Sequence, residues 1–328
     1  MKYRKLGKTG FEVSEISLGT WQVGGKWGSG FDDANADEIL QTALGKGINF
    51  IDTADVYESG QSEKAVGRNI KKTENSIYVA TKCGRYLQPH TSEEYQPEVL
   101  RKFVEDSLQR LQVDTLDLIQ LHCPPTEVYY RPEIFHLFND LKKEGKIQNL
   151  GVSVENVEEA IKAAEYDNVT TVQIIFNMFR MKPAEKFFPL AKEKNVGIIV
   201  RVPLASGLLT GKFNENTQFD KEDHRNFNRE GEAFDKGETF SGVPYKVGLE
   251  AVERLRKIFP DTDNLAPIAL KWILSFDAVS CVIPGASKVS QVHSNLKAND
   301  LPEITAHQKE QVQQVYDELI KEHVHHKW

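Results

Sequence analysis

The sequence predicts an α/β chain folded as a (β/α)₈ TIM barrel. Three observations carry this. Eight short apolar runs alternate with amphipathic helical stretches, no dinucleotide fingerprint follows the first run, and ionisable side chains gather at the C-terminal ends of consecutive runs. The 328 residues suit one such barrel, so a single domain over 1–328 is expected.

Taken in order, the first twelve or so residues read as a hairpin, YRKLGKTGFEV, with Lys8, Thr9 and Gly10 in its turn. Such a piece could plug the base of a barrel. The candidate strands are EISLG (15–19), INFID (48–52), IYVATK (77–82), LDLIQLH (116–122), IQNLGVS (147–153), TVQIIFN (171–177), GIIVRV (197–202) and VSCVIPG (279–285). Near-continuous apolar strands, each followed by a helix, imply a parallel sheet covered by helices on its outer side. In PEVLRKFVEDSLQRL, Val99, Leu100, Phe103, Val104, Leu108 and Leu111 fall three or four apart, the spacing of one helix face. The rival fold, an open doubly wound sheet, usually places G-x-G-x-x-G after its first strand. Here that strand leads into LGTWQVGGKWGSG, whose glycines are spaced differently. Phe213 to Val247 is polar, contains glycine and has no sustained period. Loops that long are usually functional or disordered. This one follows the seventh strand, so it is expected to be a mobile cover over the C-terminal mouth.

A net charge of −7 argues against a nucleic-acid partner, which would usually meet a basic face. No apolar run approaches a membrane span, so no membrane partner is expected. The N-terminus MKYRKLGKTGFEV lacks the continuous apolar core of a signal peptide. Cys83, Cys123 and Cys281 are far apart, without CxxC spacing, and are expected to be buried reduced thiols. A cytoplasmic location follows as the default. The tail histidines His323, His325 and His326 are expected to be solvent-exposed rather than metal ligands.

In this barrel the loops after the strands converge on one mouth, and catalytic groups sit at the strand ends. Those ends carry Asp52 on strand two, Lys82 on strand three and His122 on strand four, with Tyr57 in the loop after strand two. Singly, each has an ordinary alternative: a capping aspartate, a snorkelling lysine, a satisfied core histidine, a packed aromatic. Together they make chemical sense. A phenol with pKa near 10 is a feeble acid, and an ammonium held close favours its phenolate. A carboxylate beyond the lysine keeps the ammonium protonated. His122 could donate a second hydrogen bond, and two donors on one oxygen suit a carbonyl becoming an alkoxide. No residue here is an obvious nucleophile and no cluster has metal-ligand spacing. The missing reactant would be a hydride, which a nicotinamide supplies.

At these residues the chain resembles the aldo-keto reductase superfamily, NAD(P)H-dependent reductases on a (β/α)₈ barrel, and most closely its bacterial general-stress and sugar-related branch. The likeness runs through RKLGKTGFEVSEISLGTW, INFIDTADVY, VATK, LIQLH, GVS, PLASGLLTGKF and IPGASKVSQVHSN, in order over nearly the whole chain. The family's tetrad falls on Asp52, Tyr57, Lys82 and His122.

The resemblance implies a cofactor, NADPH (NADP⁺), and a pocket for it. Ser153 and Gln173 would hold the nicotinamide amide, with Gly19, Thr20 and Trp21 beside the cofactor. The family commonly has Asn after that serine; here it is Val154, and Asn177 is a candidate substitute. Where the family usually stacks an aromatic on the nicotinamide, this chain has Arg201, whose guanidinium can also stack and whose charge would disfavour the oxidised ring. Pro203, Leu204, the amides from Ser206 to Leu208, and Lys212 form a seat for the pyrophosphate. Beyond Gly285 a helix N-terminus suits phosphate. Ser287 and Lys288 would take a 2′-phosphate, with Gln291 and Asn295 near adenine.

The expected activity is reduction of small-molecule aldehydes or ketones, with Tyr57 as general acid tuned by Lys82 and Asp52. The alternatives are a cofactor-loaded regulatory subunit, like the potassium-channel β subunits that share this barrel, and a sugar or alcohol dehydrogenase running in the oxidative direction. Trp27, Tyr86, Tyr129 and Tyr130 suggest an amphipathic substrate pocket, although they suit packing equally.

Overall fold

The computed structural model describes residues 1–25, 30–260 and 262–328. Trp27, expected at the substrate pocket, lies outside them. The chain opens with a two-stranded antiparallel hairpin, β1 (Tyr3–Lys5) and β2 (Glu12–Ser14). Eight parallel strands follow, hydrogen-bonded in sequence order: β3 (Leu18–Gly19), β4 (Phe50–Asp52), β5 (Tyr78–Cys83), β6 (Leu116–His122), β7 (Ile147–Ser153), β8 (Val169–Ile175), β9 (Gly197–Arg201) and β10 (Val279–Val282). The two edges meet. Ser17 N donates to Val282 O and Val282 N to Glu15 O, both at 2.9 Å, and Gly19 N donates to Pro284 O at 3.1 Å. These bonds curl the sheet into the expected (β/α)₈ barrel.

The helices in order are α1 (Asp33–Gly45), α2 (Gln61–Ile70), α3 (Pro97–Leu111), α4 (Pro132–Lys143), α5 (Val157–Ala163), α6 (Pro183–Glu193), α7 (His224–Phe227), α8 (Tyr245–Ile258), α9 (Ala266–Leu274), α10 (Val289–Leu296), α11 (Ala306–Val315) and α12 (Lys321–Val324). Their apolar faces bury the outward residues of the strands in one continuous layer. On α3 this face is Leu100, Val104 and Leu111, while Val99 is exposed. None of the described helices is long and apolar enough to cross a membrane.

A separate, smaller core fills the barrel's lower interior. Phe50, Ala80, Leu118, Ile199 and Cys281 meet Leu6, Phe11 and Val13 of the hairpin, and Phe11 stacks on Tyr78 at 4.2 Å. The plug is locked by Arg4, whose guanidinium donates to Val279 O at 2.8 Å and Leu274 O at 2.7 Å. Side chains alternate faces along a strand, so the same faces turn polar toward the C-terminal ends. Above Phe50 comes Asp52, above Ala80 comes Lys82, and above Leu118 come Gln120 and His122. The lower half is closed with hydrocarbon and the upper half is a polar floor.

One detail departs from expectation. Strand β8 starts and stops two residues early, because Asn177 leaves the sheet to pair with Arg180 and to donate to Val202 O at 2.9 Å. Residues 213–247 are a folded cover built from α7 and short turns. The Asn228 side chain accepts from Ala233 N and Phe234 N and donates to Thr239 Oγ1, so it organises the cover from within. The three cysteines are buried and free, as expected.

Candidate active site

The polar floor gathers three of the four predicted strand-end groups into one hydrogen-bonded chain. Lys82 Nζ donates to Asp52 Oδ1 at 2.5 Å, to Thr53 O at 2.8 Å, and to Tyr57 OH at 3.1 Å. The Lys82 and Asp52 side chains are 1% and 2% exposed. Burial alone would pull the Lys82 ammonium down, but Asp52, Tyr57 and the hydrogen bonds to them hold it above the ordinary lysine value. Asp52 Oδ2 accepts from Gln173 Nε2 at 2.7 Å and from Gln120 Nε2 at 3.2 Å. A buried carboxylate with an ammonium and two amide donors is well compensated.

The fourth group, His122, faces Tyr57 edge-on, with ring centroids 6.1 Å apart. Burial, then the charges of Arg85, Lys82 and Arg201, hold its pKa well below the usual imidazole value, so the ring is neutral. Its Nδ1 is buried without a hydrogen-bond partner among the described residues. Tyr57 differs from expectation. Lys82 does act to acidify the phenol, but burial outweighs it and Asp52 opposes it, so Tyr57 sits above the ordinary phenol value. At neutral pH it therefore holds its proton.

Strained backbone follows three of the groups at the mouth. Glu58 after Tyr57, Cys123 after His122 and Val202 after Arg201 all have φ between +46° and +50°. This is uncommon for any side chain and strained for β-branched valine. Asn177 Nδ2 binds the Val202 carbonyl and so helps hold that turn.

A cavity of about 420 Å³ opens over these groups, a size suited to a small ligand. Asp52, Tyr57, His122 and Gln173 line its floor, and Trp21, His224 and Phe234 form an aromatic wall. Trp21 lies 5.1 Å from His224 and 6.3 Å from Tyr57, centroid to centroid. Arg85 and Glu238, which sequence reasoning missed, line the same space.

The sequence profile of the aldo/keto reductase family matches residues 15–317, almost the whole barrel. The chain belongs to the aldo/keto reductase family. Among characterised relatives, Aldo-keto reductase YhdN of Bacillus subtilis is 32% identical over 90% of this chain and 87% of its own. The NADH-specific methylglyoxal reductase of Escherichia coli is 28% identical, covering 91% and 93%. Among solved structures, the glycerol dehydrogenase AKR11B4 of Gluconobacter oxydans superposes with a TM-score of 0.77 at 30% identity, over 98% of this chain and 96% of its own. The family carries out nicotinamide-dependent carbonyl reduction, and this aldo-keto reductase is of the bacterial branch.

Of the positions expected at the reductase's cofactor, Gly19, Thr20, Trp21, Gln173, Arg201, Pro203, Leu204, Ser206, Gly285 and Gln291 line the cavity. Thr20 is fixed by donating from N and Oγ1 to Asp52 O. Gln173 is turned toward Asp52, and Ser153 is buried beside Cys123 Sγ at 3.6 Å. The Leu208 side chain is buried in the core, packed against Gly248 of α8. Lys212 is exposed and off the cavity wall. Asn177, the candidate substitute at Val154, is fully buried and committed to Val202 O and Ser241 Oγ.

Arg201 donates to Val154 O at 3.0 Å and pairs with Glu238 at 3.3 Å. Its charge is therefore largely answered by the cover, which weakens the expected electrostatic effect on a nicotinamide. At the start of α10, Gln291 Oε1 accepts from Ser287 N at 2.7 Å, Ser287 Oγ at 3.1 Å and Lys288 N at 3.1 Å. An oxygen acceptor thus occupies the amide cradle in which a phosphate oxygen would be received. Asn295, one turn further on, is buried. Lys288 is exposed and forms no ion pair among the described residues. These donors fit an anionic dinucleotide.

Of the residues expected to make an amphipathic substrate pocket, Tyr86, Tyr129 and Tyr130 do not line the cavity. Tyr129 is fully buried, whereas Tyr130 and Tyr86 are exposed at 64% and 43%. Tyr130 instead lies under Lys162, 4.9 Å from ring centroid to Nζ. Of the tail histidines, His325 is hydrogen-bonded to Tyr316 OH through Nδ1 at 2.9 Å.

Proposed function

We propose that this protein reduces aldehydes or ketones to alcohols with NADPH, using Tyr57 as the general acid. The observation that supports this most is the unbroken chain from Asp52 through Lys82 to Tyr57, opening onto a cavity shared with a neutral His122. A bound NADPH supplies the hydride that adds to the carbonyl carbon. The Tyr57 phenol gives its proton to the carbonyl oxygen, and the neutral imidazole N–H of His122 holds that oxygen in line. The phenolate left behind is stabilised by the Lys82 ammonium 3.1 Å away, until solvent returns the proton. Asp52 acts through Lys82 by keeping it charged and aimed. It is a positioning residue.

Ser287 and Lys288 are proposed to receive the 2′-phosphate that distinguishes NADPH, and Ser206 with Pro203 and Leu204 to follow the pyrophosphate. The same groups serve alcohol oxidation in reverse, the direction for which the Gluconobacter protein is named. The direct test is Tyr57→Phe, read by NADPH oxidation and by cofactor fluorescence titration. Turnover should fall by a factor of about 10² or more with cofactor affinity retained, the scale of general acid catalysis. A Tyr57→Phe enzyme of undiminished turnover would sink the assignment.

A further inference from the structure

Arg85 stands three residues beyond Lys82 and lines the same cavity as Tyr57 and His122. Among the described residues it donates no hydrogen bond. Its guanidinium is held there by ion pairs, at 3.4 Å to Glu238 Oε1 and 3.9 Å to Glu155 Oε1, and by the Phe234 ring 5.8 Å from Cζ. The side chain is 21% exposed. A guanidinium has five N–H donors, and drawing it from water without hydrogen bonds in return is costly.

Glu238 is a shared partner, lying 3.3 Å from Arg201 as well. Two guanidinium groups therefore converge on one carboxylate. Burial, with Asp235 and Glu238 adding to it, pushes the Glu155 carboxyl up to about 7, so at neutral pH it answers the excess only in part. A second full carboxylate would bring two cations and two anions into balance. The cavity that Arg85 shares with His122 has room for it.

We propose that Arg85 anchors the substrate, and that the favoured substrates are carbonyl compounds bearing a carboxylate, which Arg85 receives while the carbonyl faces Tyr57 and His122. The planar fork of arginine matches a carboxylate with two parallel hydrogen bonds. Tyr86 and Tyr130 are exposed and Tyr129 is buried in the core, so none of these three faces the substrate beside Arg85. The inference rests on the reductase function proposed above.

The experiment compares kcat/KM for 4-oxobutanoate with that for 4-oxobutanamide, its uncharged counterpart, in wild type, Arg85→Gln and Arg85→Lys. Wild type should favour the carboxylate by about tenfold or more, the scale of one charge-assisted hydrogen bond. Arg85→Gln should bring the ratio toward one. Arg85→Lys, which keeps the charge and loses the fork, should fall between. A wild-type ratio near one overturns the proposal whatever the variants do, and so does an Arg85→Gln ratio equal to that of wild type. If Arg85→Gln fails to fold, Arg85→Lys decides, and an unchanged ratio there overturns it. Turnover of both probes at equal efficiency overturns this proposal alone. No nicotinamide oxidation with either probe overturns this proposal, while the reductase function itself stands or falls on the Tyr57→Phe comparison.

Discussion

Gln173 donates a 2.7 Å hydrogen bond to Asp52, across the barrel from strand β8 to strand β4. A residue expected to serve the cofactor thus also holds the carboxylate that positions Lys82. Gln173→Leu leaves Asp52 Oδ2 with only the longer bond from Gln120. Stability should drop by about 1.5–3 kcal/mol, the range for a hydrogen bond to a charged group. Denaturant unfolding without cofactor checks this. An unchanged midpoint would show that the bond does not matter to the fold.

Asp55 gives a pH signature. It is 1% exposed, no side chain among the described residues hydrogen-bonds either carboxylate oxygen, and burial, with Glu63 adding to it, pushes its pKa up to about 7. Its folded pKa is raised, so its contribution to stability is fully present below the unfolded value near 4 and is lost as pH rises through about 7. Asp55→Asn cannot ionise. The difference in Tm, variant minus wild type, should therefore grow more positive from pH 5 to pH 8 in scanning calorimetry. A flat difference would contradict it.

Trp328 is the back stop of the cover. Its Nε1 donates to Asp235 at 3.0 Å, and Arg180 lies 4.0 Å over its ring. Gly242 sits so close that an added Cβ would come within 2.4 Å of the indole. Trp328→Ala should cost about 3–5 kcal/mol, as buried aromatic truncations do. It should also speed limited proteolysis within residues 213–247. Unaltered cleavage there would mean that the cover stands without the tryptophan.

The proposed place of the 2′-phosphate predicts that Lys288 separates the two nicotinamide cofactors. Lys288→Ala should weaken NADPH by about tenfold or more, in line with loss of a charge-assisted contact, and leave NADH nearly untouched. Fluorescence titration with each nucleotide reads the ratio. Equal weakening of both would place the 2′-phosphate elsewhere.

The sequence made some of this legible and hid the rest for physical reasons. Strands β6 and β7 begin and end where their apolar runs do, since His122 and Ser153 each hand over directly to a loop. In β8 the apolar run outlasts the strand, because Asn177 is claimed by a carbonyl 25 residues ahead. Asp52, Lys82 and His122 could be found because strand ends share one mouth. Gln120 was within reach too: it lies two positions before His122 and therefore on the same face. Arg85 and Glu238 were not, since their meaning lies in a pairing across 153 residues. Nor does the dipeptide Tyr129–Tyr130 say which ring goes inward.

Ser206 joins two parts of the molecule through one hydroxyl. Its Oγ donates to Glu238 O at 3.0 Å and accepts from Phe240 N at 3.1 Å, while its own backbone, at φ +54°, lines the cavity. Whatever settles on that turn is felt by the cover, and whatever steadies the cover is felt at the turn. Thermodynamic reciprocity then requires that the two affinities be coupled by one and the same factor. A small serine thus ties the occupancy of that turn and the steadiness of the cover into a single adjustable quantity.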